Sequence, residues 1–310
     1  MKFGNGSERN PAELGVTRLS HNSAMVDAQT QGDVLNQALP YIQEFRGQTF
    51  VVKYGGSAMR DPAMMDGVIR NVLLLQLVGI RAILVHGGGP EIDVWLGRLG
   101  IEKKTLNGLR VTDDETMEVV EMALAGKANK SLVAAVQKAG GQAIGLSGRD
   151  ADLLLAERIS DDLGRVGNVV KVNPHVLTVA TEAGFIPVVC SVATDSERHA
   201  LNVNADSAAA AIAAAVGASK LNLQTDTNGV LADKNDPHST VSQLGVAEAR
   251  EMIAAGKADR GMIPKLEAAI GAIEHGVGGV HLINAGIPNS LLVEVFTHSG
   301  IGTMVKPTER

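Results

Sequence analysis

A chain of 310 residues, 45% of them hydrophobic, is long enough to bury a substantial core in one large α/β domain or two lobes. A formal net charge of −6 and an aromatic content of 3% supply neither the positive field nor the stacking surface that nucleic acid or an anionic membrane needs, so both are excluded as partners. No apolar stretch approaches the roughly 20 residues of a bilayer span, and the single Cys190, in the apolar run Phe185 to Cys190, reads as a buried structural thiol in a reducing compartment.

Met1 to Gln31 is polar and without periodicity, which predicts a mobile tail whose start is a place for targeting residues. From residue 32 to 47, Val34, Leu35, Ala38, Ile42 and Phe45 share one helical face, with Pro40 as a kink or restart. Thr49 to Tyr54 then reads as a strand opening into Gly55 and Gly56, an apolar helix runs through Val68, Val72 and Leu75 to Gly79, and Ala82 to His86 is a second strand. Strand, helix, strand is the unit of a parallel sheet, whose ligands collect at the carboxyl ends of the strands. At that end Gly87, Gly88 and Gly89 lay the backbone bare ahead of a helix expected from Pro90, an arrangement suited to an anion as well as to a tight turn.

Asn107-Gly108 is a turn signal, and Thr112-x-x-Glu115 reads as a capping box opening a helix that ends near Gly126. Arg110 just ahead of it suits either a carboxylate ligand or a surface ion pair with Asp113 or Asp114. Ala143 to Gly148 and Phe185 to Val192 are further strands. Asn202 to Asp206 introduces an Ala-rich helix over Ser207 to Val216, where Asp206 taken alone is a helix cap. A strand from Leu221 runs into a polar turn, Asp233 to Pro237 is a surface loop, helices follow at Ala247–Ala255 and Pro264–Glu274, and Val280–Ile283 and Gly302–Val305 supply late strands. The sequence holds no P-loop, no G-x-G-x-x-G, no zinc spacing, no G-x-S-x-G and no protein-kinase signature.

Six stretches in order, Val51-Val52-Lys53-Tyr54-Gly55-Gly56, Val85 to Ile92, Asn107-Gly108-Leu109-Arg110-Val111-Thr112-Asp113, Asn202 to Asp206, Gly261-Met262-Ile263-Pro264-Lys265 and Gly300 to Met304, resemble the N-acetylglutamate kinases of the amino acid kinase family. The entry through Ala38 to Gly47 is similar to the cyanobacterial, algal and plant branch. The resemblance implies a three-layer αβα sandwich with a mainly parallel central sheet and two lobes, residues 48–217 for the acceptor and 218–306 for ATP. It implies phosphorylation of the γ-carboxylate of N-acetyl-L-glutamate by ATP, the second step of arginine synthesis, with Mg²⁺ carried by the nucleotide and no metal ligands of its own.

By the same resemblance Lys53 contacts the transferring phosphate from the acceptor side and Lys265 from the ATP side, with Asp206 holding both ammonium groups. Gly56 completes the catalytic set, and Gly55, Gly56 and Gly88 offer backbone N–H groups to the phosphoryl oxygens. Arg110 holds the substrate's α-carboxylate and Asn202 its acetamido group, with Gly88, Gly89 and Asn204 lining that site. Gly55, Gly87, Thr225, Asp226 and Met262 belong to the phosphate and nucleotide side. The helix before the first strand implies a ring-shaped homo-hexamer, a trimer of dimers, or at least a dimer, and the branch implies a PII-type signalling partner and arginine as feedback inhibitor. The expected location is a plastid stroma for a mature algal or plant form and otherwise the bacterial cytoplasm. The sequence departs from the family at Asp93, where Asn is common, at Arg260, where Gly is common, and at Asn284, Gly286 and Asn289, which replace residues of the arginine-inhibited members. The competing readings are a kinase for aspartate, glutamate or carbamate, and a non-catalytic sensor of the same fold.

Overall fold

The structure, a computed structural model, describes residues 27–307 other than 234, 237 and 260, with only the backbone at 57 and 58. The expected tail up to residue 26, the Arg260 departure and two positions of the Asp233 to Pro237 loop lie outside the described residues. Residues from Ala38 onward form one compact unit.

Helix α1 (Ala28–Phe45) starts four residues before the expected 32 and contains Pro40 without a restart. Strand β1 (Thr49–Tyr54), helix α2 (Pro62–Leu77) capped by Asp61, and strand β2 (Arg81–His86) form the first parallel unit as expected. Helix α3 (Gly89–Leu99) begins one residue early, with Gly88 at its N-cap. A short hairpin, β3 (Thr105–Leu106) and β4 (Leu109–Arg110), turns through Asn107 and Gly108, both at positive φ.

Two expectations fail in the next segment. The cap of α4 (Asp114–Glu121) is Asp113, whose carboxylate accepts from Thr116 N at 2.8 Å, so Thr112 is not the capping residue. Nor does the helix stop near Gly126: a π-helical segment, Met122–Ala128, carries it into α5 (Asn129–Lys138). Gly126 has open space around it, so nothing there forces the chain to turn, and a π-bulge of this kind is common beside functional sites.

Strands β5 (Ala143–Ser147), β6 (Leu154–Arg158) and β7 (Val166–Val172) follow, then α6 (His175–Glu182) and β8 (Ile186–Cys190). The run expected as one strand from Phe185 to Val192 is broken at Ser191, and β9 (Val192–Thr194) leaves for a second sheet. Strand β10 (Ala200–Val203), helix α7 (Ala205–Ala215), strand β11 (Lys220–Thr225), strand β12 (Gln243–Gly245), helices α8 (Val246–Ala254) and α9 (Ile263–Glu274), strand β13 (Val280–Asn284), helix α10 (Ser290–Phe296) and strand β14 (Thr303–Lys306) complete the chain.

The main sheet has the order β12-β14-β13-β11-β1-β2-β8-β5, parallel except between β13 and β14. It is continuous from β2 through β1 to β11, across the boundary expected near residue 217. Successive side chains of a strand face opposite ways, and each face has its own core. Val51, Ile83, Val85, Leu221 and Leu223 pack with Ala209 and Ile212 of α7 and Leu266 of α9. Phe50, Val52, Leu84 and Val188 pack with Ile69 and Val72 of α2, Leu132 of α5 and Leu291 of α10. That is the expected three-layer αβα sandwich. A small closed sheet of β10, β7, β6 and β9, not anticipated from the sequence, sits beside it. Cys190 is fully buried at the carboxyl end of β8, and burial pushes its thiol up to about 12.

Candidate active site

The carboxyl end of β1 and the first turns of α7 and α9 supply the charged groups, and the carboxyl end of β2 the glycine loop beside them. Lys53 and Asp206 are 7% and 5% exposed, far below what charged residues tolerate without partners. The Lys53 ammonium lies 2.8 Å from Asp206 Oδ1, an ion pair outside hydrogen-bond alignment. Lys265 donates to Asp206 Oδ2 at 2.9 Å. Burial alone would raise the Asp206 carboxyl, but the two ammonium groups outweigh it and hold the group below the usual carboxylate range. The helix-cap reading of Asp206 is overturned: Asn204 is the N-cap of α7, accepting from Asp206 N at 2.8 Å and Ser207 N at 3.2 Å.

The glycines close around this triad. A Cβ on Gly55 would stand 3.1 Å from Lys53 Nζ and 3.8 Å from Gly87 N, so the Gly55 backbone lies close to the ammonium and to the second glycine loop. Gly56 has φ +74°, and a Cβ there would meet the Asp226 carboxylate at 3.3 Å. A Cβ on Gly88 would lie 2.4 Å from Leu124 Cδ2, so the π-helical segment packs closely onto the glycine loop and a side chain there would displace Leu124.

Arg110 and Asn202 meet through Thr112. Thr112 is fully buried, its hydroxyl donates to Arg110 O at 2.9 Å, and Asn202 Nδ2 donates to that hydroxyl at 3.2 Å. Arg110 Nη2 bonds Asp93 Oδ1 closely and Gly89 O at 3.4 Å, while Nη1 is buried with no hydrogen-bond partner among the described residues. The ion-pair partner is therefore Asp93, neither Asp113, which caps α4, nor Asp114, which pairs with Arg165 at 2.5 Å.

The residues expected on the nucleotide side are more dispersed. Thr225 donates to Thr227 O at 2.7 Å within its own turn, and the Met262 side chain is buried in the α7/α9 core. Sequence reasoning missed the support of the glycine loop. His86 Nδ1 donates to Gly87 O at 2.7 Å, its Nε2 accepts from Asn129 Nδ2 at 3.1 Å, and Asn129 Nδ2 also reaches Val188 O at 2.8 Å. The position of His86 directly before three glycines was the available signal; Asn129 lies 43 residues away in sequence and left none.

Complete burial drives His86 down to about 4, so it stays neutral in the fold. An unfolded His takes up a proton below about pH 6.5, so this residue contributes stability at neutral pH that is lost as pH falls towards 4, on the order of 3 kcal/mol. Urea unfolding measured from pH 7 to 4 is expected to show that loss, and His86→Asn is expected to lose less over the same interval. Equal pH slopes would contradict it.

The stretch that carries this parallel sheet, its glycine loops and the acid-bridged lysine pair falls within residues 48–284, which match the model of the amino acid kinase family. The acetylglutamate kinase of Thermosynechococcus vestitus is 50% identical over 273 residues, covering 88% of this chain and 92% of that protein. The chain belongs to the amino acid kinase family, among acetylglutamate kinases of the cyanobacterial kind. Of solved structures, N-acetylglutamate synthase from Neisseria gonorrhoeae complexed with coenzyme A and N-acetyl-glutamate aligns with a TM-score of 0.79 at 26% identity, over 90% of this chain and 64% of that one. Carbamate kinase from Giardia lamblia bound to AMP-PNP aligns with a TM-score of 0.60 at 12% identity, over 84% and 99%, a likeness of fold.

Proposed function

We propose that the chain transfers the γ-phosphoryl group of ATP to the γ-carboxylate of N-acetyl-L-glutamate, giving N-acetyl-L-glutamyl 5-phosphate for arginine biosynthesis. The observation that carries this reading is the buried Asp206 spanning the Lys53 and Lys265 ammonium groups. In-line transfer between two anions leaves the protein the work of positioning and charge neutralisation. Two ammonium groups held by one carboxylate face the migrating phosphoryl group from either side. Backbone N–H groups of Gly55, Gly56 and Gly88 complete the donor set, stabilising charge that develops during transfer.

Arg110 takes the acceptor's α-carboxylate and Asn202 its acetamido group, with Gly88, Gly89 and Asn204 around them. Thr112 ties the first two together, which supports one acceptor with both groups. Gly87, Thr225, Asp226 and Met262 belong to the ATP side, in a nucleotide lobe over 218–306 opposite an acceptor lobe over 48–217. Oxygen donors suit a hard divalent cation, and the phosphates of the nucleotide itself supply them, so the cation arrives with ATP. Mg²⁺ bound with ATP neutralises phosphate charge.

An ADP-release assay offering N-acetylglutamate, glutamate and aspartate tests the assignment; turnover with N-acetylglutamate no faster than with the others overturns it. Arg110→Ala is expected to raise the N-acetylglutamate KM by about tenfold or more with a smaller change in kcat, as for loss of a charge-assisted bond. An unchanged KM removes Arg110 from the acceptor site.

The same reading includes a homo-hexamer built through α1, which exposes Val34, Leu35 and Leu39. A light-scattering mass of one subunit overturns that. It also includes a PII-type partner and inhibition by arginine, tested by adding arginine to the assay, and a location in the bacterial cytoplasm or a plastid stroma. At the departures from the arginine-inhibited pattern, Asn284 donates to Asn228 Oδ1 at 2.7 Å and Asn289 accepts from Asn71 Nδ2 at 3.2 Å.

A further inference from the structure

The geometry points to Asp93 as a positioning and specificity-setting residue that acts through Arg110, occupying part of its guanidinium and so limiting the charge left for the acceptor's α-carboxylate. This rests on the acceptor-site reading of Arg110. Asp93 lies in the second turn of α3, directly above the glycine loop, and is drawn by two cations: Oδ1 meets Arg110 Nη2 and Oδ2 meets Lys103 Nζ at 3.0 Å. Glu91, the other acid at the start of α3, is turned away, accepting from Trp95 Nε1 at 3.0 Å. Burial opposes the charge on Asp93, but its bonds to Arg110 and Lys103 prevail and keep it ionised well below the usual carboxylate range.

The guanidinium is thus divided. Nη2 is saturated by Asp93 and the Gly89 carbonyl, whereas the buried Nη1 has no acceptor among the described residues. A buried donor without an acceptor is costly, so this edge is the one that a ligand carboxylate satisfies. A carboxylate arriving there becomes the second anion on one cation. Asp93 therefore does two opposed things: it holds the guanidinium in place, and its charge repels the acceptor. Asn at this position keeps an oxygen for Nη2 and removes the charge; Ala removes both.

The test is a kinetic comparison of the wild-type chain, Asp93→Asn, Asp93→Ala and Arg110→Ala with N-acetylglutamate at saturating ATP. Asp93→Asn is expected to lower the N-acetylglutamate KM by about fivefold, and Asp93→Ala to raise it by about fivefold, with kcat within twofold in both, the scale of a partly exposed charge contact. Quenching of the single Trp95, two residues further along α3, is expected to give the same order of affinities without ATP. The analogue 4-acetamidobutyrate, which lacks the α-carboxylate, is expected to inhibit the wild type and Asp93→Asn alike. KM values that leave both variants equal to wild type, or that move them together, overturn the inference, as does an equal gain in affinity for the analogue. A wild-type chain inert towards N-acetylglutamate instead overturns the acceptor reading itself.

Discussion

Exchanging Asp206 for Asn is expected to lower kcat by about three orders of magnitude, while KM for either substrate changes by a few-fold at most. The carboxylate holds Lys53 at 2.8 Å and Lys265 at 2.9 Å, and an amide of the same shape cannot oppose two positive charges. Without the acid, the ammonium groups repel each other and part, so the charge complementary to the transition state is lost. Stability falls as well. Lys53 remains 7% exposed with no counter-charge, and stranding a buried charge costs on the order of 3–5 kcal/mol. Urea unfolding and the ADP-release assay measure the two effects separately. An Asp206→Asn variant with normal turnover would reduce this residue to a structural ion pair.

Removing either lysine is the second large effect. Lys53→Ala and Lys265→Ala are each expected to lower kcat by about 10²–10³, the loss recorded when one preorganised donor to developing charge is deleted. Arginine should rescue the two unequally. Lys53 is enclosed, with the Gly55 backbone close to its ammonium, so the wider guanidinium has no room and Lys53→Arg stays inactive. The Lys265 side chain is 21% exposed, and Lys265→Arg should recover part of the rate. Near-normal turnover in either alanine variant would remove that lysine from the chemistry.

Much of the layered architecture is legible in the sequence because several strands of the main sheet are short apolar runs, and β1, β2 and β5 stop at glycine. Thr49 to Tyr54 and Ala82 to His86 need no tertiary information to be read as strands. The small second sheet is different. Leu154–Arg158 and Val166–Val172 carry Arg, Glu, Asn and Lys, and are strands because β6 and β7 pair with each other and with β9 and β10, which is invisible locally. Thr112 also satisfies the local signature of a cap, but its hydroxyl is engaged by Arg110 and Asn202, 90 residues apart in the second case, and the cap passes to Asp113. At the site, the residues legible from short motifs are those at strand ends and helix starts. Asp93 and Asn129 meet partners distant in sequence, and Met262, inside the Gly261 to Lys265 stretch, is also buried in the core, which the motif does not show.

The sealed position of Cys190 makes this chain a single-thiol clock. A sulfur with no solvent exposure, protonated up to about pH 12, presents no nucleophile to an alkylating reagent while the sandwich is intact. Modification by iodoacetamide then proceeds only through openings wide enough to bare the end of β8. Mass spectrometry of the labelled fraction times those openings directly.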